Sequence, residues 1–139
     1  MDFVQYISTP KNTTEAEPLV TTINLTRGRL AGGSVYFPTG PAGKLHFLAR
    51  IGLHQIIPFN TGQNIRLDNA VFPISIGIDL LEPPYKIDLV TWNDSTEYAH
   101  ALTVCLNLQP RGKSRQTLKQ ILKDMATAEK PEESKTQGD

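Results

Sequence analysis

The residues of this chain that have the means to do chemistry are few and scattered. His46, His54 and His100 are its three imidazoles. No His-x-His or His-x-x-x-His pair occurs, so a nitrogen metal site would need the fold to bring two separate segments together. The segment "WNDSTEYAH" gathers Asn93, Asp94, Ser95, Glu97 and His100. An acid beside a histidine is the raw material of acid–base chemistry, and the same oxygens are the type that calcium takes. The spacing does not match an EF-hand loop, however, and Asn, Asp and Ser in loops commonly bond their own backbone. The six acids Asp68, Asp79, Glu82, Asp88, Asp94 and Glu97 show no spacing that would pair two carboxylates for glycoside chemistry. Trp92, Tyr85 and Tyr98 are aromatic enough to stack on a sugar.

The stretch "TGPAGKL", Thr39 to Leu45, has the Gly-Lys ending of a phosphate loop. That loop needs a glycine five residues before Gly43 and a hydroxyl after Lys44. Pro38 and Leu45 stand there instead, so the stretch reads as a Pro/Gly turn between two strands. We therefore assign no catalytic, cofactor-binding or metal-binding residues and expect a protein that is not an enzyme and carries no cofactor.

What must position these residues is a set of short strands. "LVTTINL" places Leu19, Thr21, Ile23 and Leu25 on one face. "SVYF" is a short strand, preceded by a loop or bulged region, "TRGRLAGG". "KLHFLARIGL" alternates with Leu45, Phe47, Ala49 and Ile51 on one side and His46, Leu48 and Arg50 on the other. "VFPISIGIDL" aligns Phe72, Ile74, Ile76, Ile78 and Leu80. "KIDLVTW" and "ALTVCLNL" read as antiparallel neighbours joined through "NDSTEYAH", the second with Leu102, Val104, Leu106 and Leu108 facing one way. About seven or eight strands with turn residues between them predict an all-β fold, a single antiparallel β-sandwich spanning residues 19–109. No long helical period interrupts them, which excludes a parallel α/β sheet.

The ends read differently. Residues 1–18 are polar and carry two prolines, an extended arm with a short apolar start. Within that arm Phe3, Tyr6 and Ile7 are candidate partner-binding residues. In residues 110–128, Leu118, Ile121, Leu122 and Met125 stand at i, i+3, i+4 and i+7. That is one stripe of a C-terminal amphipathic helix, which needs a surface to pack on, its own domain or another chain. Five cations against Asp124 surround that stripe. Residues 129–139 have the composition of a disordered tail.

With 139 residues and 14 basic against 14 acidic side chains, the chain has the length of one domain and no net charge. The balance argues against nucleic acid as a main partner. No run approaches the 18 or so uncharged apolar residues of a membrane helix, and no signal peptide is read at the N-terminus. Cys105, the single cysteine, permits no intrachain disulfide and fits a reducing compartment.

The segment Val35 to Leu108 resembles the small β-sandwich structural proteins of tailed-phage particles, of the capsid-decoration or minor structural type. The resemblance lies in "FPTGPAGKLHFLARIGLHQIIPFNTGQ" and "EPPYKIDLVTWNDSTEYAHALTVCLNL", with short strands, proline-punctuated turns and polar terminal arms. It covers about half of the chain and rests on no diagnostic motif. It implies a virion protein assembled in the host cytoplasm that binds other virion or capsid subunits, often as a homo-oligomer, without membrane contact. A carbohydrate- or ligand-binding sandwich is the alternative expectation, with Tyr85, Trp92 and Tyr98 as its platform.

Overall fold

The computed structural model describes residues 1–110. They form eight strands: β1 (Asp2–Thr9), β2 (Leu19–Asn24), β3 (Gly28–Phe37), β4 (Leu45–Ile51), β5 (His54–Ile57), β6 (Ala70–Leu80), β7 (Lys86–Asn93) and β8 (His100–Pro110). Two four-stranded sheets result, one ordered β1-β8-β3-β6 and the other β2-β7-β4-β5. All their pairings are antiparallel.

The strand order has a simple origin. β1 pairs with β8, β2 with β7, β3 with β6, and β4 with β5. These are the rungs of one long hairpin, folded over so that β3 also meets β8 and β4 also meets β7. That is the strand order of a jelly roll.

Period-two alternation drives this arrangement. On β8, Leu102, Val104, Leu106 and Leu108 are buried, and from β4 Leu45, Phe47 and Ala49 are buried too. With Val35, Phe37, Ile87 and Leu89 they form one cluster fed by both sheets. Burying each large apolar side chain contributes about 1.5–3 kcal/mol, so the central strands β8, β3, β7 and β4 hold most of the stability. Edge strand β6 buries less: Ile74 and Leu80 are inside, whereas Phe72, Ile76 and Ile78 are half-buried.

Three expectations change. The first nine residues do not form an arm, since Asp2–Thr9 pairs along its whole length with β8. Ile7 consequently lies in the core and Phe3 packs against it, while Tyr6 faces solvent. Second, β7 and β8 are not hairpin neighbours. They belong to different sheets, so residues 94–99 cross from one sheet to the other. Third, the bulged region before "SVYF" is part of the strand: β3 runs from Gly28 with a register shift between Leu30 and Gly32. The proposed helix stripe Leu118, Ile121, Leu122 and Met125, and the tail after it, lie outside the described residues.

Candidate functional site

His46, His100 and the acids and amides of residues 93–97 collect at one end of the sandwich. At the start of β4, His46 lies opposite Trp92 of β7. Their rings stack with centroids 4.8 Å apart and planes within 6°. His46 Nδ1 meets Asn64 Oδ1 at 2.8 Å and Nε2 meets Asp94 Oδ2 at 2.6 Å. The His46 residue is 6% exposed and Trp92 4%. Both ring nitrogens are thus occupied and one ring face is covered. The arrangement holds the loop after β7 against the second sheet, whose backbone contact there is Asp94 N donating to Lys44 O.

Beside it, Asn93 is fully buried. Its Nδ2 donates to Thr9 O and Tyr98 O, and its Oδ1 accepts from Ser95 N. Ser95 Oγ accepts from the backbone of Glu97 and Tyr98. Asp94 Oδ2 is in this way committed to histidine, and Asn93 Oδ1 and Ser95 Oγ to backbone. Among the described residues no group of three His, Cys, Asp or Glu is placed to hold a metal ion.

The stretch Thr39–Leu45 is a tight turn. Lys44 N donates to Pro41 O, and Ala42 and Gly43 have φ of 49° and 79°, the hand of a type I′ turn. Its outward amides do cradle an anion, but one supplied by the chain itself. Gly40 N and Ala42 N donate to Asp68 Oδ1 at 2.8 and 2.9 Å. These two bonds hold the Asp68 carboxyl below the usual aspartate value, with desolvation opposing them and the nearby His100 assisting. The turn and the residue 95–98 segment enclose an open cleft of 230 Å³ with Lys44, Glu97, Tyr98 and His100 on its walls.

The structure thus brings His46 to Asp94, and Glu97 to the same cleft as His100, but does not join the two pairs in one pocket. His54 is elsewhere: it pairs with Ile51 at the far end of β4, about 17 Å along the strand from His46 at 3.4 Å per residue. Of the three candidate sugar platforms, Trp92 is covered, Tyr85 packs against the core and Tyr98 is exposed.

A different surface emerges from the register of the first sheet. One row of outward side chains runs Tyr6, Thr103, Tyr36, Val71 across all four strands. The next runs Val4, Cys105, Ser34, Pro73. Beyond the first row lie Ser8 and Ala101. None of these residues is charged. Tyr6 is 64% exposed, and Val4, Tyr36 and Val71 are exposed too. Charge appears only at the other end, where Arg29 pairs with Asp79 at 3.1 Å and Asp2 accepts from Asn107. The uncharged face is about 14 Å across, three strand spacings of 4.7–4.9 Å.

A second apolar surface lies at the edge of the other sheet. Leu53, in the β4–β5 turn, is 98% exposed and Phe59 81%. Both line an open depression of 560 Å³ together with Leu48, Ile56, Arg50 and His54.

Of the expected partner-binding residues, then, Tyr6 stands on an exposed face and Phe3 and Ile7 turn inward. Val4, Tyr36 and Val71 were missed because only strand order reveals that they share rows with Tyr6. Leu53 and Phe59 did carry a signal, large apolar residues in turns.

Compared with known protein families, with characterised proteins and with solved structures, the chain matches none of them.

Proposed function

We propose that this chain is a non-enzymatic structural subunit of a viral particle, binding other virion or capsid subunits through its sheet surfaces. The observation that carries the proposal is the uncharged outer face of the first sheet. Exposed Val4, Tyr6, Tyr36 and Val71 stand there in uncharged rows that cross four strands through half-buried Thr103, Cys105 and Ser34, with charge kept to one end. Exposed apolar side chains clustered on an uncharged face suit a protein contact, and Tyr is among the residues enriched at interfaces. The exposed Leu53 and Phe59 add a second contact on the opposite sheet.

Two further features support this reading. The strand order is one that capsid subunits use, although lectins and cupins use it too. The polar groups that sequence alone marks for chemistry hold loops together: His46 is occupied at both nitrogens and Asn93 bonds three backbone groups.

The test is co-sedimentation of purified chain with virus particles. Wild-type chain is expected to pellet with the particles. A Tyr36→Lys/Val71→Glu variant, whose opposite charges face each other across β3 and β6, is expected to keep its melting temperature and stay in the supernatant. Wild-type chain that never pellets with particles contradicts the proposal.

A further inference from the structure

The first sheet ends at β1 in an open edge, and the first residue reveals which groups face outward. Met1 N donates to Leu108 O at 2.6 Å and Leu108 N to Met1 O at 2.8 Å. Such doubly bonded pairs recur at every second residue of an antiparallel ladder. The register therefore bonds Phe3 to Leu106, Gln5 to Val104 and Ile7 to Leu102. The backbone N–H and C=O groups of Asp2, Val4, Tyr6 and Ser8 point away from β8. In agreement, the Tyr6 carbonyl accepts from the side-chain amide of Gln5, its sequence neighbour. No described strand lies beyond β1.

Sheet edges are ordinarily guarded by short length, proline or charge. β5 has four residues, β6 carries Pro73 as its fourth residue, and β2 has six residues directly after Pro18. β1 has eight residues, no proline, no lysine or arginine, and a single charge, Asp2, at its end.

We propose that β1 pairs antiparallel with β1 of a second copy, joining the two first sheets into one continuous sheet. This deepens the assembly reading above and rests on it. Antiparallel pairing of a strand with itself is twofold, as an isologous dimer requires. Because the open groups belong to even-numbered residues, bonded partners across the dimer must both be even-numbered. Centring the twofold on Gln5 sets Asp2 opposite Ser8 of the second copy and Val4 opposite Tyr6 of the second copy. Every open group of Asp2, Val4, Tyr6 and Ser8 then finds a partner, and a shift in either direction leaves some unpaired. The two Asp2 carboxylates sit at opposite ends, so no like charges face each other. The outer rows holding Tyr6 and Val4 run on into the second copy, doubling the width of the uncharged face.

Sedimentation velocity of the full chain over a concentration series tests this, with twice the 15.4 kDa chain mass as the expected result. Tyr6→Pro removes an outward N–H and no bond to β8, a position where a strand tolerates proline. It is expected to give a folded monomer whose melting temperature no longer depends on concentration, whereas Gln5→Pro, which removes a bond to β8, lowers that temperature further. Should Tyr6→Pro fail to fold, Val4→Asp/Tyr6→Asp sets carboxylates against each other across the twofold and is expected to give a folded monomer. A wild-type monomer at every concentration overturns the proposal, as does a dimer that survives the folded variants. A monomer that still pellets with particles overturns β1 pairing and leaves the assembly reading standing. A β1-dependent dimer that ignores particles supports the pairing and contradicts that reading.

Discussion

Asp68 and the turn it supports show how a single residue replaces a ligand here. The amides of Gly40 and Ala42 need an acceptor, and a carboxylate from 28 and 26 residues away supplies it. Because these bonds hold the folded-state pKa below the usual aspartate value, the stabilisation is present above the unfolded value. It is lost as pH falls through the depressed folded value. A carbon-detected NMR titration is expected to place the Asp68 midpoint below the usual aspartate value, and Asp68→Asn is expected to remove that part of the acid limb of stability. In the same turn Ala42 bears a left-handed φ of 49°, a conformation that costs an L-residue about 1–2 kcal/mol. Ala42→Gly is therefore expected to raise stability by several tenths to about 1 kcal/mol, read as a higher urea midpoint at unchanged slope. Asn93 is the opposite case, buried with all its groups used. Asn93→Ala leaves buried backbone groups without partners, at about 1–3 kcal/mol each. A fall of about 3 kcal/mol in unfolding free energy is expected, measured by urea denaturation.

At the scale of elements, β1 is the informative one. Its inward positions are Phe3, Gln5, Ile7 and Thr9, and two of these are polar. Gln5 and Thr9 break the apolar alternation, which is why the segment reads as an arm. Thr9 is nonetheless buried, because its hydroxyl meets that of Thr91 at 2.8 Å across the sandwich. A polar residue made inward-facing by a partner 82 residues away leaves no local signal. β8 lies at the other extreme, four leucine or valine positions in strict alternation, and its inward face was legible from sequence. Alternation reports which face of a strand is wet, and it says nothing about which strand lies alongside. Hence "KIDLVTW" and "ALTVCLNL" read as antiparallel neighbours, although their short connection spans two sheets.

Two variants check the strand assignments. Ile7→Ala is expected to cost about 2–5 kcal/mol, as for other buried large-to-small changes; an unchanged melting curve would restore the arm. Gly33, on β3 after the bulge, lies so close to β8 that an added Cβ would sit 1.8 Å from the Cys105 carbonyl oxygen. Gly33→Ala is expected to cost more than about 4 kcal/mol or to prevent folding, measured by circular dichroism and urea titration.

Among the described residues, the buried polar networks and the uncharged outer rows of the first sheet lie on different parts of the sandwich. The histidine, Asn93 and Asp68 networks bind loops at one end of the sandwich. The outer face of the first sheet presents uncharged rows, and the edge of the second presents Leu53 and Phe59. Such a division suits a subunit that meets other proteins on two sides. The most direct measurement is quantitative mass spectrometry of virus particles purified through a salt wash. The chain is expected in the particles at a fixed stoichiometry to the major capsid protein. Its recovery only in the soluble fraction, with none in washed particles, would contradict the account.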